Sequence, residues 1–490
     1  MKFLKIFIIL VISSTQVNQA LAGVFFNVKD EDASKTKILF FGFDPTDPNL
    51  HQDAFEIIER VRRNLKSTDL FEVVKNSGRL EIAGKDIDED KIVTNADEKI
   101  PSNKYDRLEN NKNAVKSGGG KVNQSSIDIV APTISVETLP DFEKYSKAGI
   151  GAIVIAQFDY DADHNLEMRV RTWDVLDQRQ LFGKFYSSSK GNYKKMANLL
   201  SDELYKTITG EKKGHFNSQI IYVAESGGVK KRTKKIVQMD FDGENRHVLT
   251  DGRDLVLTPI FSRNPNEIFY LRYFENKPQI FSLDVRNLRS KKIGNFRGTT
   301  FAASAHPKDQ NLILLSAIFD GNSDIYEMNI SDNVAKRLTK SPAIDTTASY
   351  SPDGKSILFV SDRDAGQQIY LMNSNGSDVR KISVGDGSYA KPSFSPDGTM
   401  IAFTRIKAGQ FYIGTMSANG KNERLLAKGY IVEGAKWSPN GRYLIYSKKK
   451  GVYGKDSVPK LCIIDIATGF EFELPTLAGE GATDPDWIAN

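Results

Sequence analysis

The chain has 490 residues, with 67 Lys and Arg against 62 Asp and Glu, 40% hydrophobic residues and one cysteine. At roughly 100 to 200 residues per domain this is two to four domains with ample apolar material, which excludes a disordered tail and a mini-protein. A single Cys excludes a disulfide framework and a multi-cysteine metal or iron–sulfur site, and a net charge of +5 is too small an excess for a nucleic-acid signature.

At the amino terminus Lys2 and Lys5 flank the start of the apolar run Ile6 to Ile12, and Ala20-Leu21-Ala22 follows a polar stretch. Charged region, short apolar region and A-x-A site together read as a secretory signal cleaved after Ala22. The run is far short of the roughly 18 apolar residues that span a bilayer, and no later segment reaches that length. No Cys stands just after it, which argues against a lipoprotein anchor. The mature protein, residues 23 onward, is expected to be exported and soluble.

From Lys37 to about Gly210 helix and strand signals alternate. Lys37 to Phe43 is a largely apolar run ending in Asp44-Pro45, the pattern of a buried strand. Phe55, Ile58, Val61 and Leu65 recur at helical spacing, Phe71 to Val74 reads as the next strand, and Pro140 to Ala148 as a short helix. Ile150 to Ala156 is a second buried strand, Leu166 to Trp173 alternates like a half-exposed one, and Tyr193 to Thr209 is an amphipathic helix. These elements make a small α/β domain over 37–210, interrupted at 76–126 by a polar stretch expected to be a mobile insertion.

After Gly210 a repeat takes over. Its anchor is an apolar or aromatic residue followed by Ser-Pro-Asp-Gly or a variant: Tyr350-Ser351-Pro352-Asp353-Gly354, Phe394-Ser395-Pro396-Asp397-Gly398 and Trp437-Ser438-Pro439-Asn440-Gly441. Degenerate copies stand at Phe261-Ser262-Arg263-Asn264 and Ala305-His306-Pro307-Lys308, so the anchors are spaced 44, 45, 44 and 43 residues apart. A period in the forties with strand-only patterning is that of propeller blades. Pro presets the turn, Asp bonds back to its backbone and Gly takes the last position, so the motif is a hairpin turn between strands. Gln219 to Thr250 supplies only three strands. Thr483-Asp484-Pro485-Asp486-Trp487 matches the inner strand Ala390-Lys391-Pro392-Ser393-Phe394, so the carboxyl terminus is expected to complete the first of six blades over 216–490 and remove an open sheet edge.

Candidate chemistry mostly dissolves. Asp159 to Asn165 has the alternating acids of an EF-hand loop, but His164 replaces the required Gly and Val170 the closing Glu, which leaves a solvated turn. Gly118-Gly119-Gly120-Lys121 lacks the upstream Gly and the following Ser/Thr of a phosphate loop. The five His residues show no metal-ligand spacing, and no Gly-x-Ser-x-Gly elbow occurs. Lys230 to Lys235 is a basic run read as a hairpin tip, and Cys462 stands in a mostly apolar run as a small core residue. No metal or cofactor is expected.

The blades, with Leu255 to Ser262, Gly366 to Tyr370, Ile382 to Gly387, Val432-Glu433-Gly434 and Trp437 to Arg442, closely resemble those of the TolB family, periplasmic components of the Tol–Pal system. The resemblance extends into the first domain through Val170-Arg171-Thr172-Trp173-Asp174-Val175 and Leu204 to Glu211. It implies an α/β amino-terminal domain followed by an all-β six-bladed propeller of WD40-like (PD40) repeats. It also implies a monomeric, non-enzymatic periplasmic protein that joins the lipoprotein Pal, docked at one mouth of the propeller channel, to the inner-membrane protein TolA. That system keeps the outer membrane attached and drives its constriction at division. TolA is reached through the mature amino-terminal segment, 23–36, which is either packed on the body or free, so that Pal and TolA binding are coupled.

Residues before or at the start of each innermost strand are expected at the channel rim: Thr258, Thr300, Phe301, Thr346, Thr347, Tyr389, Lys391, Glu433 and Asp484. The TolA candidates are Gly23, Val24, Phe25, Phe26, Asn27 and Val28, alternatively an edge strand of the α/β domain. Two other classes stay open at this point, a relative of propeller serine peptidases and a carbohydrate- or metal-binding propeller.

Overall fold

A computed structural model describes residues 35–42, 48–74, 135–189, 192–228, 231–275, 277–294, 299–364, 366–451 and 458–490. The predicted signal peptide, the segment Gly23 to Val28, the insertion 76–126 and Lys230 lie outside the described residues. Contacts divide the described chain into two compact units, one of 35–58 and 70–193, the other of 59–69 and 194–490.

The first unit is a five-stranded sheet ordered β2-β1-β3-β4-β5. The strands β1 (Thr36–Gly42) and β2 (Phe71–Val74) are parallel, as are β1 and β3 (Ala152–Tyr160). Hairpins add β4 (Leu166–Asp174) and β5 (Arg179–Ser188) antiparallel. The helix α1 (Pro48–Lys66) joins β1 to β2 and so runs through both units. The short α2 (Phe142–Lys147) is capped by Asp141, whose carboxylate accepts from Lys144 N at 3.1 Å. One face of the sheet closes a core of Phe41, Ile153, Ile155 and Trp173 with Val136 and Tyr145. Strand β5 carries no alternating signal in the sequence, because it is an edge strand in which no residue is fully buried and Gly183-Lys184 stands at the centre. The EF-hand-like run is the β3–β4 turn, where Asp161 accepts from the backbone N–H groups of Asp163 and Asn165 at 2.9 and 2.8 Å.

The second unit holds α3 (Tyr193–Thr209) and six four-stranded sheets. The first blade contains β6 (Ser218–Ser226), β7 (Thr233–Asp240) and β8 (His247–Val248). The second is β9 (Val256–Phe261), β10 (Glu267–Phe274), β11 (Lys277–Asp284) and β12 (Ser290–Lys292); the third is β13 (Thr299–Ala305), β14 (Leu312–Phe319), β15 (Asn322–Asn329) and β16 (Val334–Arg337). The fourth is β17 (Asp345–Tyr350), β18 (Ser356–Ser361), β19 (Gln368–Asn373) and β20 (Arg380–Lys381). The fifth is β21 (Ser388–Phe394), β22 (Met400–Lys407), β23 (Gln410–Ser417) and β24 (Arg424–Gly429), and the sixth β25 (Ile431–Trp437), β26 (Tyr443–Lys449), β27 (Lys460–Asp465) and β28 (Glu471–Glu473). The last strand, β29 (Gly481–Ala489), pairs antiparallel with β6, from Gly481 opposite Glu225 to Ala489 opposite Ser218, and closes the ring.

The turn chemistry explains the repeat. In Ser351-Pro352-Asp353-Gly354 the Gly354 N–H donates to Ser351 O at 2.8 Å and the Ser351 hydroxyl to Asp353 at 2.6 Å. In the eroded third blade His306 replaces the Ser, and its Nδ1 accepts from Asp309 N at 2.9 Å. The anchors Trp437 and Trp487 are buried, with their indole N–H groups satisfied by Ser393 O at 3.1 Å and Ser218 Oγ at 2.7 Å.

Candidate functional site: the propeller channel and its mouth

Every innermost strand carries a β-bulge in the same place. Pairing with the next strand slips between Leu257 and Ile260, Phe301 and Ala303, Thr346 and Ser349, Ala390 and Ser393, Glu433 and Lys436, and Thr483 and Asp486. A bulge re-aims a side chain that simple alternation would place elsewhere. At its centre Thr258, Thr347, Lys391 and Asp484 take left-handed φ values of 44°, 51°, 49° and 49°, and the fifth equivalent is Gly434 at 74°. For a β-branched Thr this conformation is a genuine outlier. It recurs where the six strands converge on a cavity of about 100 Å³ lined by these five residues with Ala303, Ser304 and Ser349. Since all six blades contribute, the cavity lies on the axis of the ring.

The lining is chemically lopsided. Blades two to four give hydroxyls and methyls: Thr258, Ala303, Ser304, Thr347 and Ser349. The other three give ions. Lys391 Nζ stands 3.1 Å from Asp484 and 3.2 Å from Glu433, and Lys436 is 3.6 Å from Asp486. Burial works against the charge of Lys391, but Asp484 and then Glu433 outweigh it and raise its pKa to about 12. Lys391 therefore ties three strands of three blades across the channel. The Thr347 hydroxyl oxygen is buried there without a hydrogen-bond partner among the described residues.

Of the nine rim residues read from the sequence, Thr258, Thr347, Lys391 and Asp484 line the channel, Glu433 contacts Lys391, and Thr346 is half-buried beside its bulge. Three sit elsewhere. Thr300 is buried, Phe301 packs against the core between blades two and three, and Tyr389 is fully buried, its hydroxyl donating to Glu423 at 2.7 Å and its ring beneath the Arg405 guanidinium at 5.3 Å. Their position at a strand start was right, but alternation turns these side chains between the sheets, where packing favours large groups. Lys436, Asp486, Ser304 and Ser349 were missed. Pro259, Pro392 and Pro485, each two residues before an anchor, were the available signal, since Pro inside a strand marks an edge or a bulge.

A second missed feature surrounds the mouth. Among the described residues, five of the connections from the outermost strand of one blade to the innermost of the next expose a large apolar side chain: Leu255 (41% exposed), Ile344 (52%), Val384 (85%), Tyr430 (46%) and Leu477 (53%). Strand direction puts all these connections on one face of the ring. Tyr273, Phe274 and Ile318, also exposed, stand at the β10 and β14 ends on the same face. Single exposed apolar residues are ordinary, but a ring of them around an opening marks an interaction surface.

Other candidates lead away from catalysis. Cys462 is buried, and burial pushes its thiol up to about 12. His215 is enclosed by Tyr205, Phe216, Phe241 and Tyr443, with ring centres 4.1 to 5.2 Å away, and burial followed by the charge of Arg442 lowers its pKa to about 3. In the basic run, Arg232 and Lys234 pair with Glu225 at 3.3 and 2.5 Å. Among the described residues no group of three or more His, Cys, Asp or Glu could hold a metal ion, and no helix is long and apolar enough to cross a membrane.

Comparison with known proteins identifies the family. The family model described as the TolB beta propeller domain matches residues 205–489. The Tol-Pal system protein TolB of Gluconobacter oxydans (strain 621H) is 36% identical over 362 residues, 73% of this chain and 79% of that one. Among solved structures, TolB from Acinetobacter baumannii superposes with a TM-score of 0.72 at 23% identity, covering 93% of this chain and 97% of its own, which shows a shared fold. A six-bladed ring, a matching propeller model over more than half the chain and this degree of identity lead to one conclusion: the chain belongs to the TolB family of Tol–Pal system proteins.

Proposed function

We propose that this Tol–Pal system component works in the periplasm as a non-enzymatic adaptor, with the lipoprotein Pal docked over the channel mouth and TolA held by the mature amino-terminal segment. In this reading residues 1–22 are a signal cleaved after Ala22, 23–36 are the TolA-binding segment, 37–210 form the α/β domain and 216–490 the propeller. The observation that carries it is the apolar crown of Leu255, Ile344, Val384, Tyr430 and Leu477 around an opening lined by Thr258, Thr347, Lys391 and Asp484. Protein interfaces have this layout: apolar side chains to exclude water, with a few fixed polar groups for register. Lys391 and its two carboxylates are already arranged and need little reordering on binding. The structural role at division, and the coupling of Pal and TolA through a segment that is packed in one state and free in the other, follow the family.

The test is deletion of Gly23 to Val28 from the mature protein, with binding to purified TolA and Pal measured by calorimetry. TolA binding is expected to vanish while Pal still binds. Unchanged TolA affinity overturns the assignment of that segment.

A further inference from the structure

The outermost strands of the ring are not alike. In three consecutive blades the last two residues before a buried aliphatic side chain are both basic: Lys291-Lys292 before Ile293, Lys336-Arg337 before Leu338, and Arg380-Lys381 before Ile382. Register shows that these positions are equivalent, since Lys292, Arg337 and Lys381 stand opposite Phe281, Tyr326 and Tyr370 of the neighbouring strands. The same positions are Val248 opposite Val237 in the first blade and Glu473 opposite Cys462 in the sixth, and the fifth reads Leu425-Leu426. All six basic residues are exposed, and only Arg337 has an acidic partner among the described residues, Asp324 at 2.6 Å.

Lysines on an edge strand discourage pairing with other chains. That function would be needed equally on every blade, yet the outermost strands of the first and sixth blades carry no Lys or Arg, and the fifth carries Arg424 and Lys428 apart rather than as a pair. We propose that the outer rim of blades two to four is a docking surface for an extended, acidic polypeptide segment, distinct from the channel mouth. Two observations select this occupant. The pairs sit on a convex arc, each a sixth of a turn from the next, so a flat membrane meets one pair at a time whereas a flexible chain can follow all three. Each pair also has an exposed apolar residue beside it, Leu288 (53%), Val334 (60%) or Val379 (38%), which suits a chain carrying apolar side chains among its carboxylates better than a glycan.

The test uses the mature protein and a fluorescent synthetic peptide of Glu, Val and Pro, kept extended by its prolines. Anisotropy is read at low salt for the wild type, for a variant with Lys291, Lys292, Lys336, Arg380 and Lys381 changed to Gln, and for Leu288→Ser with Val334→Ser and Val379→Ser. Circular dichroism and thermal midpoint verify that each variant folds. The expected result is that each variant weakens the peptide by about tenfold or more, and that a Gln-for-Glu peptide does not bind. Unchanged affinity in either variant overturns the proposal, as does tighter binding of heparin or of phosphatidylglycerol vesicles than of the peptide. Pal binding does not enter either outcome, so the result stands apart from the reading of the channel.

Discussion

At the channel bulges Thr258, Thr347, Lys391 and Asp484 hold a backbone that glycine adopts freely, and each such residue costs on the order of 1 to 3 kcal/mol. The equivalent Gly434 isolates that cost, because a Cβ there would meet only the Lys391 side chain at the ordinary distances of 3.8 and 3.9 Å. Gly434→Ala is therefore expected to lower stability by about 1 kcal/mol through strain alone, seen as a shifted urea midpoint with unchanged slope. His215 gives a pH dependence of defined sign. Its pKa falls from 6.5 to about 3 in the fold, so the unfolded chain takes up the proton first; this contribution is complete above pH 6.5 and shrinks as pH falls toward 3, at about 1.4 kcal/mol per unit. Between neutral pH and about pH 4.5 the His215→Phe variant should lose less stability than the wild type in urea titrations. The Ser-Pro-Asp-Gly turns were legible because each works within four consecutive residues. The Lys391–Asp484 contact was not, because it joins residues 93 apart in sequence, and only closure of the ring brings them within 3.1 Å.

Two elements bear disproportionate weight. The terminal strand β29 pairs with β6, places Trp487 against Phe241 with ring centres 5.5 Å apart, and accepts the Phe261 N–H of the next blade on Asp486 at 2.8 Å. Removing residues 481–490 strips the edge of β6 and exposes that aromatic cluster, so the truncated protein is expected to melt lower and to aggregate on size exclusion. The second half of α1 and α3 form the other. Arg60, 2% exposed, lies 2.9 Å from Asp240 and 2.7 Å from Asp242 in the turn after β7, and its Nε donates to Asn198 of α3 at 3.2 Å. Burial pushes the Asp242 carboxyl upward and outweighs the downward pull of Arg60. Arg60→Ala should cost about 3 kcal/mol, because it takes the buried cation away from two partly buried carboxylates, measured as a lower unfolding midpoint. Helical spacing marks α1 and α3, although Phe55 of that spacing is exposed, and the closing strand is legible from the match of Thr483 to Trp487 with the inner strand Ala390 to Phe394. Periodicity missed β5, whose residues face water, and it found α1 and α3 without showing that buried ions tie them to a propeller turn.

At the scale of the whole propeller, a closed ring has four distinct surfaces: the axial channel, the face that bears the crown, the face opposite it, and the outer rim. The turns that made the repeat legible lie on the face opposite the crown, which is why the sequence disclosed the architecture more readily than the crown. The crown residues are isolated in polar loops of differing length and form a pattern only when the six blades are brought round the axis. Exposed as they are, Ile344, Val384 and Tyr430 contribute little to folding, and replacing all three by Asp should leave the thermal midpoint nearly unchanged. The most direct measurement is a calorimetric titration of purified Pal into the mature wild-type protein and into this triple variant. Loss of at least about a hundredfold in affinity at an unaltered thermal midpoint is the expected result. Equal affinity for Pal in the two proteins would contradict docking at the channel mouth.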